Sequence, residues 1–314
     1  MNKLILVTND DSIHAKGIKE LVSVAKTFGQ VIVVAPDKPQ SGMGHAITIS
    51  NPLRIQKYEG FKDVVAYECS GTPVDCVKIA IFEILKRKPD LLLSGINHGE
   101  NSSTNVLYSG TMSAAVEGAM EGIPSIGFSL CDFAADADFS VAKKIVASVV
   151  DAVLKNGLPN GVCLNVNIPK LTMKEFKGIK VCRQAHAYWE DRFDERKDQF
   201  NRPYYWLTGK YIEMDQTEDT DLYWIEKGQL ALRVNLPVVS KEIAQVGKAL
   251  ATAAVFNKET LFVRGENSGY IGSLDEISIQ KQFPKSQIKT VSNAGHWLHA
   301  ENPQQFHQIV VDFL

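Results

Sequence analysis

Two neighbouring aspartates, Asp10 and Asp11, come directly after a short apolar run from Leu4 to Val7. Such a run is typical of a strand that is buried on both faces, so the pair would lie at a strand end. Adjacent carboxylates repel each other there unless a hard divalent cation with oxygen ligands compensates their charge. The pair therefore predicts a metal site, and the alternative is that one aspartate caps the following helix.

Polar residues also follow two later apolar runs. After the run from Val31 to Val34, Ser41 and Gly42 can offer a hydroxyl and backbone N–H groups to an anion or a metal, although a plain turn is the alternative. After the run from Leu91 to Leu93, Asn97 provides a neutral oxygen donor. Because ligands gather at the carboxyl ends of parallel strands, the joint placement of these residues indicates one site.

Ser109, Gly110 and Thr111 open a predicted helix of small residues. A helix N-terminus with free N–H groups and hydroxyls is suited to binding phosphate. Ser70 to Pro73 repeats the pattern at a second helix start, where simple capping is an equal alternative. A metal beside such helix ends suits hydrolysis of a phosphate monoester, since the metal polarises a phosphoryl oxygen and activates water.

The elements that must position these residues alternate between strand and helix. Further apolar runs predict strands near residues 126–128 and 162–168, and amphipathic patterns predict helices over 17–28 and 140–154. This alternation predicts a doubly wound, mostly parallel, Rossmann-like α/β sheet. Residues 183–227 are rich in aromatic and charged residues and predict a hairpin extension, after which α/β alternation resumes.

Composition excludes several classes of protein. The 314 residues are 45% hydrophobic and 22% charged, with 34 Lys and Arg against 36 Asp and Glu. A net charge of −2 favours neither a nucleic-acid polymer nor an anionic membrane as partner. No apolar stretch approaches the roughly 20 residues of a membrane span. Five cysteines without a CxxC pair indicate reduced thiols, and we expect a cytoplasmic protein.

Five motifs in order and spacing resemble the SurE family of survival-protein 5′-nucleotidases. They are Val7-Thr8-Asn9-Asp10-Asp11, Val34-Ala35-Pro36-Asp37 with Gln40-Ser41-Gly42, Ser70-Gly71-Thr72-Pro73-Val74-Asp75-Cys76-Val77, Asp90 with Ser94-Gly95-Ile96-Asn97-His98-Gly99, and Ser109-Gly110-Thr111 with Ala114-Ala115 and Glu117-Gly118. The resemblance covers residues 1 to about 228.

The resemblance implies a divalent-metal-dependent phosphatase of nucleoside 5′-monophosphates, and in some members of 3′-monophosphates or short polyphosphate. It implies one Mg²⁺ or Mn²⁺ per subunit, with Asp10, Asp11 and Asn97 as catalytic residues and these three together with Ser41 as metal ligands. Ser109, Gly110 and Thr111 would hold the phosphate, with Asn9 and Gly42 nearby. The family forms homodimers or tetramers that exchange the hairpin region, which would be residues 183–228 here.

Two departures from the family pattern stand out. Ser12 occupies a position that is usually glycine, and it would be strained if that position requires a positive φ. After Gly228 the family's last strand is not recognisable, and residues 229–314 resemble the C-terminal part of an α/β-hydrolase esterase. In that resemblance His296 would be the triad base and Glu266 a candidate for its acid partner.

The sequence therefore predicts a nucleotidase core over 1–182, a hairpin over 183–228 and a C-terminal fragment over 229–314. No Gly-x-Ser-x-Gly nucleophile motif occurs in the chain, so esterase activity is not predicted and His296 is interpreted as structural. The alternatives left open are a carboxylesterase that uses a serine from another loop, and a catalytically inactive nucleotide-binding fusion.

Overall fold

The computed structural model describes residues 3–215, 217–235, 257, 259–268, 271–295 and 301–313. Its strands are β1 (Lys3–Thr8), β2 (Gly29–Pro36), β3 (Ile55–Lys57), β4 (Val65–Cys69), β5 (Leu91–His98), β6 (Ser125–Cys131), β7 (Cys163–Pro169), β8 (Ile179–Cys182), β9 (Ala187–Lys197), β10 (Pro203–Glu213), β11 (Leu230–Asn235), β12 (Thr260–Gly265) and β13 (Ser286–Val291). Its helices are α1 (Lys16–Ala25), α2 (Pro73–Ile79), α3 (Gly110–Met120), α4 (Ser140–Asn156), α5 (Asp221–Glu226), α6 (Ser273–Gln282) and α7 (Pro303–Phe313).

Nine of these strands form one sheet in the order β3-β4-β2-β1-β5-β6-β7-β11-β8. The six strands from β4 to β7 in this order pair in parallel. Towards the two edges, β3 is antiparallel to β4, and β11 is antiparallel to β7 and parallel to β8. The predicted doubly wound, mostly parallel α/β sheet is confirmed.

Helices cover both faces of this sheet, which explains the continuous apolar runs of its central strands. In β1, Ile5 and Val7 pack into the core beneath α1 and α4, whereas Leu4 and Leu6 pack into the core beneath α2. Side chains alternate between the two faces of a strand, so a strand covered on both faces must be apolar at every position. The central strands are accordingly buried along nearly their whole length.

The chain builds the sheet in two directions from its middle. From β1 it proceeds through β2 to β4 on one side, and it then returns to β5 and proceeds through β6 to β7 on the other. The strand order therefore reverses between β1 and β5, which is where open parallel sheets form a crevice.

The predicted hairpin extension is confirmed. β9 and β10 are antiparallel and paired over their full 11 residues, from Ala187 with Glu213 to Lys197 with Pro203. Most of their side chains are exposed, in contrast with the central strands of the large sheet. The hairpin is therefore an arm whose apolar residues are mostly exposed, apart from the buried Ala187 at its base.

The structural boundary of the C-terminal segment differs from the one expected at residue 229. The chain separates into compact units over Met1–Pro237 and Val238–Leu314. β11 lies in the first unit, where Leu230 and Ala231 are buried and the strand pairs with β7 and β8. A last strand of the main sheet is therefore present, although its sequence does not resemble the family's usual one.

The second unit has an α/β pattern of its own. Its strands β12 and β13 pair in parallel, and α6 and α7 lie against them. These four elements correspond to the α/β alternation that the sequence predicts after the hairpin. Among the helices in the described ranges, none is both long enough and apolar enough to cross a membrane.

Candidate active site

The predicted site residues of the first and fifth strands lie at the point where the strand order reverses. Asn9, Asp10 and Asp11 follow β1 directly, and Asn97 is the penultimate residue of β5. The two strands pair up to Thr8 and Ser94, so their carboxyl ends are adjacent. The structure thus brings these residues to the edge of the sheet at which ligands bind in this fold class.

A bulge in β5 determines the side of the sheet on which Asn97 lies. Ser94 pairs with Gly127 of β6, and Asn97 pairs with Ser129, so β5 has one more residue than β6 between the two pairs. Bulges of this kind re-aim a side chain near a strand end. Because paired residues point to the same face, Asn97 lies on the same side of the sheet as Ser94.

Asp10 and Asp11 are held in place by hydrogen bonds from two different elements. The Thr111 hydroxyl donates to Asp10 Oδ1 at 2.5 Å, and the His98 backbone N–H donates to Asp11 Oδ2 at 3.2 Å. Burial and then the neighbouring charge of Asp11 raise the pKa of Asp10 to about 6, against the opposing effect of the Thr111 hydrogen bonds. Burial likewise raises the pKa of Asp11. A bound cation would offset both costs.

The loop that follows β2 is hydrogen-bonded to the segment after β1 and to the segment before α3. The Gln40 N–H donates to the Asp10 carbonyl at 2.7 Å, and the Gly44 N–H donates to the Tyr108 carbonyl at 3.2 Å. Ser41, next to Gln40, is exposed. The loop therefore contacts both the carboxyl end of β1 and the start of α3, and Ser41 is the chain neighbour of the residue that bonds Asp10.

The start of α3 approaches Asp10 closely. Ser109 is the N-cap residue, and its hydroxyl accepts a hydrogen bond from the Met112 N–H at 3.0 Å. A Cβ atom on Gly110 would lie 2.6 Å from the Asp10 Cβ, so only glycine fits there. Thr111 follows and bonds Asp10. The three residues expected to bind phosphate are thus brought against the first aspartate.

The side chain of Asn9 has one paired donor and one unpaired acceptor among the described residues. Its Nδ2 donates to the Ser12 carbonyl at 2.8 Å, which uses one donor to hold the turn. Its Oδ1 is buried and has no hydrogen-bond partner within the part of the chain that the structure describes. An unpaired acceptor suits a cation or its bound water better than a phosphate dianion.

The donor set fits a magnesium-type cation. Among the described residues, no group of three or more His, Cys, Asp or Glu side chains could hold a metal ion. Mg²⁺ does not need such a group, because proteins commonly bind it through one or two carboxylates, with water and substrate phosphates as the remaining ligands. Asp10 and Asp11 could supply two carboxylates, and Ser41 in the loop after β2 and Asn97 near the end of β5 could supply neutral oxygens.

Two supporting networks were not anticipated from the sequence. In the first, Glu117 of α3 is buried and accepts from His45 Nε2 at 2.9 Å and from Lys78 Nζ at 2.5 Å. Its pKa is lowered because these two hydrogen bonds outweigh burial. The contacts join α3 to α2 and to the loop that carries Ser41. A lone acidic residue among the small residues of α3 is the sequence signal that could have identified this network.

The second network fixes the loop that follows Asn97. The Asn101 N–H donates to Asn167 Oδ1 at 2.7 Å, its side chain donates to Ser129 Oγ at 2.8 Å, and Asn165 Nδ2 donates to the Asn101 carbonyl at 2.7 Å. All four residues are buried. Asparagines at alternate positions of the otherwise apolar β7 are the sequence signal for this cluster.

The other residues singled out from the sequence have hydrogen-bond partners of their own. At the second helix start, the Thr72 hydroxyl accepts from the Asp75 N–H at 3.1 Å, and the Asp75 carboxylate accepts from the Thr72 N–H at 2.9 Å. These reciprocal bonds are a capping box, so the capping alternative describes this position. Glu266 accepts from the Asn293 N–H at 2.8 Å, whereas His296 lies outside the described residues.

Comparisons with known proteins agree with the geometry of the first unit. A family model described as survival protein SurE matches residues 5–191. A 5′-nucleotidase SurE of Flavobacterium johnsoniae is 61% identical over 230 residues, which are 73% of this chain and 89% of that protein. A 5′-nucleotidase SurE of Christiangramia forsetii is 60% identical over 238 residues, which are 74% of this chain and 91% of that protein.

A solved structure also resembles this chain. The crystal structure of the SurE protein from Aquifex aeolicus has a TM-score of 0.66 and 36% sequence identity. It covers 79% of this chain and the whole of that one. The similarity in sequence and in structure therefore involves most of the chain.

Proposed function

This chain belongs to the SurE family of survival proteins, and we propose that it hydrolyses nucleoside 5′-monophosphates to nucleosides and phosphate with the help of a divalent cation. The observation that carries the proposal is the convergence of three segments. Asp10 bonds Thr111 at the start of α3, its carbonyl bonds Gln40 beside Ser41, and Asp11 bonds the residue after Asn97. The 5′-nucleotidase names of the relatives supply the substrate class.

Asp10, Asp11, Ser41 and Asn97 would hold the cation, which is Mg²⁺ or Mn²⁺ with one ion per subunit. When bound, it would neutralise phosphoryl charge and lower the pKa of a bound water. The raised pKa values of the two aspartates support this assignment, since a cation favours their charged forms. Asn9 Oδ1, which is unpaired among the described residues, gives a further acceptor beside the pair.

The residues of this chain have two further tasks in the proposed reaction. The first-turn N–H groups of α3 and the hydroxyl of Ser109 would orient the phosphate, with Gly42 nearby. Positive potential at a helix N-terminus favours the dianion and the charge that develops during transfer. Thr111 also fixes Asp10, because its hydroxyl donates to that carboxylate.

The hairpin supports a proposal about assembly. Phe193 and Tyr205, on the two strands, and Phe200, in the turn between them, are more than half exposed. The family resemblance favours a homodimer or tetramer in which this region contacts a second copy. We also propose a cytoplasmic location, which five cysteines without a CxxC pair support because oxidising compartments favour disulfide frameworks.

The test is phosphate release from AMP in the presence of Mg²⁺ or Mn²⁺. We expect activity in the wild type and a loss of more than about 100-fold in Asp10→Asn, which removes a charged ligand. Asp90→Asn is the matched control. Asp90 directly precedes β5 and accepts a hydrogen bond from the Leu4 N–H, so it lies at the amino ends of the strands, away from their carboxyl ends. Wild-type protein that releases no phosphate from any nucleoside monophosphate would refute the proposed function. Full activity in Asp10→Asn would refute the metal assignment.

A further inference from the structure

A cavity of about 630 Å³ opens beside the candidate active site, between its loops and the hairpin. Gly42 and Tyr108 line it on one side, and each is the chain neighbour of a proposed site residue, Ser41 or Ser109. Trp189, Leu207 and further hairpin residues line the other side. Its volume lies within the range of about 300–1,000 Å³ that is usual for small-molecule sites.

Five hairpin residues line this cavity, and four of them share one face of the hairpin, whereas Thr208 lies on the other. Asp191 pairs with Gly209, and Trp189 and Leu207 lie at alternate positions from them on their own strands. Because side chains alternate along a strand and paired residues share a face, these four residues belong to one face. Trp206 belongs to the opposite face and does not line the cavity.

The Trp189 ring is held in a fixed orientation. Its indole N–H donates to Asn105 Oδ1 at 2.9 Å, and its ring centroid lies 5.2 Å from that of Tyr211, the residue with which it pairs across the hairpin. The side chain is nevertheless 46% exposed. An aromatic surface that is both oriented and exposed can bind a flat ligand without first losing conformational entropy.

Gly209 keeps the hairpin strands close at the floor of the cavity. A Cβ atom there would lie 2.7 Å from the Glu190 carbonyl oxygen, so no larger residue fits. Asp191, opposite it, lines the cavity with a carboxylate that can accept hydrogen bonds from hydroxyl or amino groups. Aromatic rings, an apolar side chain and one acceptor together match a nucleoside rather than a second phosphate.

We propose that this cavity binds the nucleoside part of the substrate, with the base against Trp189 and Tyr108. This inference rests on the proposed function, because it extends from the phosphate site at Ser109 along the adjacent Tyr108. Trp189 is then a specificity-determining residue that binds ground state and transition state equally. Loss of such uniform binding raises KM and leaves kcat unchanged.

The first experiment compares hydrolysis of AMP with hydrolysis of ribose 5-phosphate, which has no base. Base–aromatic stacking predicts a KM for AMP about tenfold higher in Trp189→Ala, with kcat and the ribose 5-phosphate kinetics unchanged. Trp189→Phe keeps an aromatic face and should retain most of the affinity. Trp206→Ala is the matched control, since it removes an exposed tryptophan from the other face of the hairpin. Molar mass and unfolding temperature of each variant check fold and assembly.

The inference is overturned if Trp189→Ala impairs hydrolysis of AMP and of ribose 5-phosphate equally, or if Trp206→Ala impairs AMP hydrolysis as much as Trp189→Ala does.

A second experiment measures binding and needs no turnover. Calorimetric titration with adenosine should show binding in the wild type and in Trp206→Ala, and about tenfold weaker binding in Trp189→Ala. Adenosine binding without phosphate release would refute the proposed function and support the cavity assignment. Phosphate release from AMP that does not depend on Trp189 would support the proposed function and refute the cavity assignment.

Discussion

At the scale of single residues, the turn after Asp11 has an unfavourable backbone conformation. Ser12 has a φ of +85° and is buried, in the region that favours glycine. The turn keeps this conformation because the Asn9 side chain bonds the Ser12 carbonyl and because Asp11 is anchored by His98. Strain at this position is therefore a consequence of holding two aspartates at one strand end.

We expect Ser12→Gly to raise the free energy of unfolding by about 1 kcal/mol. Glycine removes the steric cost of a positive φ, and this gain exceeds the extra entropy of the unfolded chain. Ser23→Gly is the control, because Ser23 lies inside α1, where glycine should destabilise by roughly 0.5–1 kcal/mol. Urea unfolding of the two variants measures both changes. A decrease in stability in Ser12→Gly would show that the position is not strained.

The sequence predicted that several residues lie at one edge of the sheet, but it did not predict the contacts that hold them there. Strand ends could be placed from apolar runs, so Asp10, Ser41 and Asn97 could be assigned to one edge. The hydrogen bond from Thr111 to Asp10 depends on how α3 is set against β1, and Gly110 determines that approach by its lack of a side chain. Contacts of this kind depend on packing, which periodicity does not encode.

At the scale of elements, the buried Glu117 joins α3 to its surroundings. We expect Glu117→Gln to lower the free energy of unfolding by about 2 kcal/mol, because Lys78 loses its ion pair and His45 loses a charged hydrogen-bond acceptor. The side chains of Lys78 and His45 are partly exposed, so the loss is smaller than for a fully buried ion pair. Glu121→Gln, at the end of the same helix, is the control; its pair with Lys88 is more exposed, and a change below about 0.5 kcal/mol is expected.

The effect of Glu117→Gln should depend on pH. Since the pKa of Glu117 is lowered from 4.5, its contribution is complete above that pH and is lost as the pH falls through the lower folded value. Unfolding of wild type and variant at pH 7 and at low pH measures this. A difference in stability that stays constant down to low pH, or that Glu121→Gln matches, would contradict this account of the contact.

Elements with weak patterns were missed by sequence analysis. β1 and β5 were predictable because both of their faces are covered and their sequences are continuously apolar. β3 and β8 lie at the edges of the sheet and are largely exposed, so their sequences carry no such pattern. β4 mixes exposed and buried positions over five residues. Edge strands are specified by pairing with a neighbour rather than by burial.

At the scale of the whole molecule, the boundary between the two compact units predicts which part of the chain nucleotidase activity requires. Every proposed site residue and all nine strands of the large sheet lie within Met1–Pro237. The sequence suggested a boundary at 229 because β11 does not resemble the family's usual last strand. Its pairing with β7 and β8 depends on backbone hydrogen bonds, which tolerate a different sequence.

We therefore expect a chain truncated after Pro237 to fold cooperatively and to keep AMP hydrolysis within about twofold of the full chain, since the whole core and site remain. Truncation after Gly228 is the matched control, because it removes β11 and with it the buried Leu230 and Ala231 and the only described pairing of β8. Exposing β7 as an unpaired edge should cause aggregation or loss of cooperative unfolding. Thermal unfolding and phosphate release measure both chains. Equal behaviour of the two truncations would show that β11 is dispensable, and failure of the longer one would show that the nucleotidase requires the second unit.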